Sequence, residues 1–124
     1  MNNPDSITQA QGDGLSLYEY LVNCISASPE DIDNAVRQLI DTDTTGQFCA
    51  SASRYLAAVD KNNFAAAIDL LLKATIEKDR ELAYLPDLLP AVWGTDYSMR
   101  VDELRDSDDN FRRIYKRVHP SGII

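Results

Sequence analysis

Apolar residues return at three- and four-residue steps along most of this chain. The densest run is Asn62 to Lys78, where Phe64, Ala67, Ile68, Leu71, Leu72, Thr75 and Ile76 fall on one side of an α-helix. Its Ala and Leu content favours the helix, no Gly or Pro interrupts it, and Asn62 or Asn63 can cap its start. Ala65 and Leu70 widen the apolar arc. A helix with so broad an arc is expected to be central, covered from more than one side.

The same periodicity predicts helices on either side. Ser16 and Glu19 form a capping-box pattern, so a first helix is expected from about Leu17 to Ala27, with Leu17, Leu21, Cys24 and Ile25 as its core stripe. Ser28-Pro29-Glu30-Asp31 combines a Ser cap, a Pro at the first helical position and acids in the first turn. Ile32, Ala35, Val36, Leu39 and Ile40 then carry a second helix to about Asp41. A third is expected from Gln47 to Asp60, capped by Thr44, with Phe48, Ala52, Tyr55, Leu56 and Val59 inward. Small residues crowd its first half (Ala50, Ser51, Ala52, Ser53), which lets a neighbouring helix approach closely.

Beyond Lys78 the pattern changes. The charge run Glu77 to Glu81 reads as a solvated face. Leu82 to Gly94 is apolar but holds Pro86 and Pro90, so it is read as a connection with at most one helical turn, from Asp87 to Ala91. It is either a lid packing Leu85, Leu88, Val92 and Trp93 onto the core or an exposed patch with Trp93 and Tyr97 as partner anchors. Ser98 is placed to cap a short fifth helix. Ser107 or Asp108 opens a sixth, with Phe111, Ile114, Tyr115 and Val118 inward and Arg112, Arg113, Lys116 and Arg117 outward. The fold expected is all-α: a single domain of five or six short helices packed as antiparallel helical hairpins over 15–119, after a flexible polar leader (1–14) and before a short tail (120–124). Leu21, Ile25, Val36, Leu39, Ile40, Leu56, Ile68, Leu71 and Leu72 are the residues expected to be most buried.

The run Asn62, Asn63, Phe64, Ala67, Ile68, Asp69, Leu71, Lys73, Ala74 resembles the second half of a tetratricopeptide repeat. The resemblance covers about residues 48–77. It departs at Ser51, Tyr55 and Asp79, where the repeat carries a bulky aromatic, Gly and Pro. Thirty-two residues earlier, Ile32, Ala35, Val36, Leu39 and Ile40 echo Phe64, Ala67, Ile68, Leu71 and Leu72. The resemblance implies stacked helical hairpins and carries over no set of peptide-binding residues.

Length and composition suit one soluble domain with a core of its own: 124 residues, of which 44% are hydrophobic and 26% charged. The formal charge of −8 works against nucleic acid and anionic lipid and suits a basic partner. It is uneven, with nine acids and two bases in residues 1–60 against five acids and six bases in residues 100–124. The basic face of the last helix is expected to pair internally or dock on the acidic N-terminal half. No membrane span, signal segment or disulfide framework is legible, so a cytoplasmic protein with Cys24 and Cys49 as buried thiols is expected.

Chemistry is scarce. Asp41 to Gly46 opens like a calcium-binding EF-hand loop, but Thr45 stands at position five and Ala52 where a bidentate Glu is needed, so no metal site is expected. The lone His119 has no catalytic company, and no nucleotide-binding glycine loop or nucleophile motif is present. A non-enzymatic protein without cofactors is expected: an acidic binding domain such as an immunity protein or inhibitor neutralising a toxin, or a small chaperone masking a partner surface. The partner would be another protein with a basic surface. The expected contacts are Glu30, Asp31, Asp33, Asp41 and Asp43, with Trp93 and Tyr97 as apolar anchors. The alternatives are an oligomeric adaptor joined through Leu85 to Tyr97 and an enzyme using carboxylates.

Overall fold

The computed structural model describes residues 14–24 and 28–120. Ile25, Ala27, the expected leader before Gly14 and the tail beyond Pro120 lie outside the described residues. Those described form seven α-helices and no strand. They are α1 (Gly14–Asn23), α2 (Pro29–Thr42), α3 (Gln47–Asp60), α4 (Ala65–Lys78), α5 (Leu85–Trp93), α6 (Val101–Ser107) and α7 (Asp109–Val118), with a 3-10 turn (Tyr97–Met99) before α6.

The all-α expectation holds; the helix count changes because Leu85 to Trp93 is a helix. Pro86 falls in its first turn, where a backbone N–H has no intrahelical partner to lose. Pro90 lies inside and forfeits one backbone bond. Burial of Leu85, Leu88, Leu89, Val92 and Trp93 compensates. The segment is thus part of the core.

The centre is shared. Helix α4 packs on α3, α2 and α7, whereas α3 contacts α4, α5, α1 and α2. Cys49, Ala50, Ala52 and Ser53 of α3 are all fully buried, and their small side chains let several helices close around it. Phe48 and Tyr55 are only partly buried and Val59 is exposed, contrary to the expected inner face. Phe48 lies over the start of α1, where a Cβ on Gly14 would stand 2.5 Å from its ring. Of the expected core, Leu21, Val36, Leu39, Leu56, Ile68, Leu71 and Leu72 are buried, while Ile40 is half-buried against the cluster. Buried hydroxyls are satisfied within their own helices: Ser53 donates to the Cys49 carbonyl at 2.9 Å and Thr75 to the Leu71 carbonyl at 2.8 Å.

Only one of the side-chain caps expected from Ser and Thr appears as such. The Ser28 hydroxyl accepts from the Asp31 amide at 3.2 Å. Helix α1 starts at Gly14, which leaves Ser16 inside it, and neither α4 nor α6 is capped by the side chain of its N-cap residue. Three aspartates serve three other links. Asp43 ends α2 and turns its carboxylate to the start of α3. One oxygen accepts from Thr45 and Gly46, the other from Phe48 at 3.1 Å and Cys49 at 2.9 Å. Asp79 repeats the device after α4, accepting from Ala83, Tyr84 and Leu85 at 2.8–2.9 Å. Asp108 caps α7 through Phe111. Asp79 is only 2% exposed, so the charge run is not wholly a solvated face. The two links abut: Gly46 sits at φ 90°, a conformation strained for any other residue, and a Cβ there would stand a tight 3.3 Å from Asp79.

At the C-terminal end, Phe111 is the hub of an aromatic cluster. Its ring lies 5.2 Å from Trp93, 6.3 Å from Tyr97 and 5.5 Å from Tyr115. Helix α7 packs on α5, α6 and α4, so the expected docking onto the acidic N-terminal half is replaced by docking on its own sequence neighbours and α4. Arg112 pairs with Asp109. Lys116 and Arg117 are exposed with no ion-pair partner among the described residues.

Candidate protein-docking groove

Helices α2 and α4 share two hollows. The first, about 240 Å³, is lined by Pro29, Ile32 and Asp33 from α2 and by Phe64, Ala66, Ala67 and Leu70 from the start of α4, with Asn63. The second, about 350 Å³, is lined by Arg37, Ile40 and Asp41 from α2 and by Leu70, Lys73, Ala74 and Glu77 from α4. The helix starts border one hollow and the helix ends the other, so α2 and α4 run in the same direction. Leu70 borders both hollows and joins them into one trough. Ile32 and Phe64, matched in the 32-residue echo, line the same hollow.

The charges along this trough are not equivalent. Arg37 donates to Asp33 at 2.9 Å, and that contact raises the guanidinium pKa. Lys73 turns to Asp69 at 2.7 Å. Both cations are therefore held one helical turn back toward the helix starts. Asp41 and Glu77, in the last turn of each helix, are exposed and have no ion-pair partner among the described residues. A helix C-terminus already carries negative potential, so an acid there is unfavourable. The hollow at these helix ends is lined by two acids and two bases, Arg37 feels the Asp41 charge after that of Asp33, and Lys78 stands beside Glu77 in the last turn of α4.

The residues expected to contact a partner divide. Asp33 and Asp41 line the trough, and Glu30 and Asp31 are exposed in the first turn of α2 beside the Pro29 end. Asp43 is 3% exposed, and four backbone amides occupy its carboxylate. Trp93 is 5% exposed, and its indole N–H donates to Asp108 at 2.8 Å. Tyr97 is half-buried beside Phe111. Asp43 and Trp93 are therefore enclosed, with their polar atoms hydrogen-bonded inside the chain, and not on the surface where a partner contact was expected. Phe64, Leu70 and Glu77 line the trough, although the sequence places the first two on the apolar arc and Glu77 on a solvated face; Ala66 also lines it. The available signal was the excess width of the α4 apolar arc, more than one neighbour covers.

The other flank of α4 holds a smaller hollow, about 160 Å³, where α4 meets α5 and α7. There Lys61 donates to the Val92 carbonyl at 2.6 Å with its ammonium 5.8 Å from the Trp93 ring centre, and burial lowers its pKa. Asn110 of α7 donates to Asp69 at 2.7 Å. The buried Cys49 thiol is inert, its pKa pushed up by burial and then by the nearby Asp43 carboxylate. No group of three or more metal-ligating side chains occurs among the described residues, and no helix there is long and apolar enough to cross a membrane. No family model, curated protein or solved structure matches the chain.

Proposed function

We propose that this chain is a non-enzymatic, cytoplasmic binding domain that engages another protein through a basic surface. It would act as an immunity protein or inhibitor of a protein toxin does, or as a small chaperone masking a partner. The observation that carries this reading is the α2–α4 trough, apolar along its floor and edged by Asp33, Asp41 and Glu77 together with Arg37 and Lys73. Glu30 and Asp31 add exposed acids to the first turn of α2, outside the lining of the trough. Apolar contact would supply affinity, and the acids would supply orientation and a fast approach. The reading includes stacked helical hairpins, α1 with α2 and α3 with α4, the second pair spanning the tetratricopeptide-like run.

The test is capture from the source cells with the full chain as bait, followed by association kinetics at rising salt. One stoichiometric protein partner whose association slows strongly with salt is expected. Salt-insensitive binding, or capture of nucleic acid in place of protein, would overturn the reading.

A further inference from the structure

We infer that the hollow where α4 meets α5 and α7 is a site for a small neutral molecule with an apolar body and one hydroxyl group, of the size of phenol. It lies on the other flank of α4 from the trough, and the inference stands apart from the reading of a protein-binding domain.

The hollow measures about 160 Å³. A cavity of about 150 Å³ takes up benzene, so a single small ring fits. Its walls divide by chemistry. Ile68 and Leu72 of α4 and Val92 of α5 form an apolar side, and Lys61, Asp69, Asp108 and Asn110 form a polar one. Asn110 decides what the polar side lacks. It is 4% exposed, and its side-chain N–H donates to Asp69 at 2.7 Å. The reverse orientation would turn its oxygen against the Asp69 carboxylate, so the amide is fixed. Its carbonyl oxygen is then buried with no hydrogen-bond partner among the described residues. Buried acceptors are nearly always paired, so a donor from outside the chain is called for. Water offers a donor but leaves the apolar side facing it. A hydroxyl on an apolar body satisfies both sides.

The remaining polar groups set the charge of the ligand. Asp69 also pairs with Lys73 at 2.7 Å, and Asp108 accepts from the Trp93 indole and the Phe111 amide. Lys61 gives one N–H to the Val92 carbonyl at 2.6 Å, and its ammonium has others to offer. A cationic ligand would meet Lys61, and an anionic one Asp69 and Asp108, so a neutral ligand avoids both repulsions. One hydroxyl oxygen can donate to Asn110 and accept from Lys61. An ether or ketone only accepts and would leave Asn110 unpaired.

The experiment titrates the isotope-labelled full chain with phenol and follows it by NMR. Trp93 is the only tryptophan and borders the hollow, so its indole N–H reports from the site. Phenol should shift that signal and the Asn110 side-chain amide saturably. Fluorobenzene, matched in size but without a donor, should bind about tenfold more weakly, the loss expected for one hydrogen bond. Benzoate and protonated benzylamine should not bind. Asn110→Leu should bring phenol and fluorobenzene to equal affinity. Ala65→Leu, at an exposed position bordering the hollow, should abolish phenol binding, whereas Ala66→Leu, which borders the trough instead, should leave it unchanged. Circular dichroism confirms that each variant is folded, and the Ala65 and Ala66 pair decides the matter should Asn110→Leu unfold. The inference is overturned by the absence of a saturable shift, which would leave the hollow to solvent alone. Equal binding of phenol and fluorobenzene by the wild type, or phenol binding that survives Ala65→Leu, would overturn it as well.

Discussion

Asp41 and Asp43 stand two positions apart at the end of α2, yet they belong to different economies of the molecule. Asp43 is enclosed, with four amides of the next helix turned onto its carboxylate. Asp41 faces solvent at the rim of the trough, near Arg37 but making no hydrogen bond with it. The same contrast recurs after α4, between enclosed Asp79 and exposed Glu77. An acidic composition therefore overstates the charge available to a partner. Backbone amides that open helices claim some carboxylates, and those left over at helix ends are the ones that remain to attract a ligand.

The contrast is broken or sharpened most strongly at Asp79. Replacing Asp79 with Ala strands three amides and is expected to cost about 3–5 kcal/mol, read by urea unfolding. Asp43→Ala should cost about 3 kcal/mol, and Asp43→Asn less, because one amide oxygen still accepts. If either Ala variant matched Asp41→Ala in its unfolding midpoint, enclosed and exposed acids would be equivalent and the distinction would collapse.

A second measurement concerns Trp93, expected from sequence as a surface anchor and found inside. Trp93→Phe keeps an aromatic ring against Phe111 but strips Asp108 of its indole donor, at an expected cost of about 1–2 kcal/mol. A fully neutral substitution would argue that the Asp108 contact contributes nothing.

Cys49 gives the pH dependence. Its folded pKa is raised, so the folded chain keeps the proton while the unfolded chain loses it from about pH 8.5 upward. The contribution is complete below that value and is lost as pH climbs toward the folded value, at up to about 1.4 kcal/mol per pH unit. Cys49→Ala should flatten this alkaline slope; an unchanged slope would assign it to other groups. The smallest stability effect belongs to the trough: Asp41→Lys should move stability by no more than about 0.5 kcal/mol while weakening a basic ligand.

Much of the helical layout was legible because it follows from spacing alone. The predicted bounds of α3 match those found, and the Ser28-Pro29 start of α2 was readable from its cap and proline. Helix α5 was hidden because two prolines argue locally against a helix, and only burial of its five apolar side chains reverses that balance. Caps from Asp43 and Asp79 were missed for a related reason. Each acts across a link of several residues, so no fixed short spacing announces it. Half of the candidate site was readable as acids on α2, but its apolar floor became visible only once α2 was seen to cover part of the arc of α4.

Trp93 is the only tryptophan in the chain, and it lies at the meeting of α5 and α7, away from the trough. Its emission is consequently a native gauge of the C-terminal half. Ligands seated between α2 and α4 should leave its colour untouched, whereas loosening of the aromatic cluster should shift it to the red. One spectrum thus separates occupancy from unfolding without any dye or label attached to the protein.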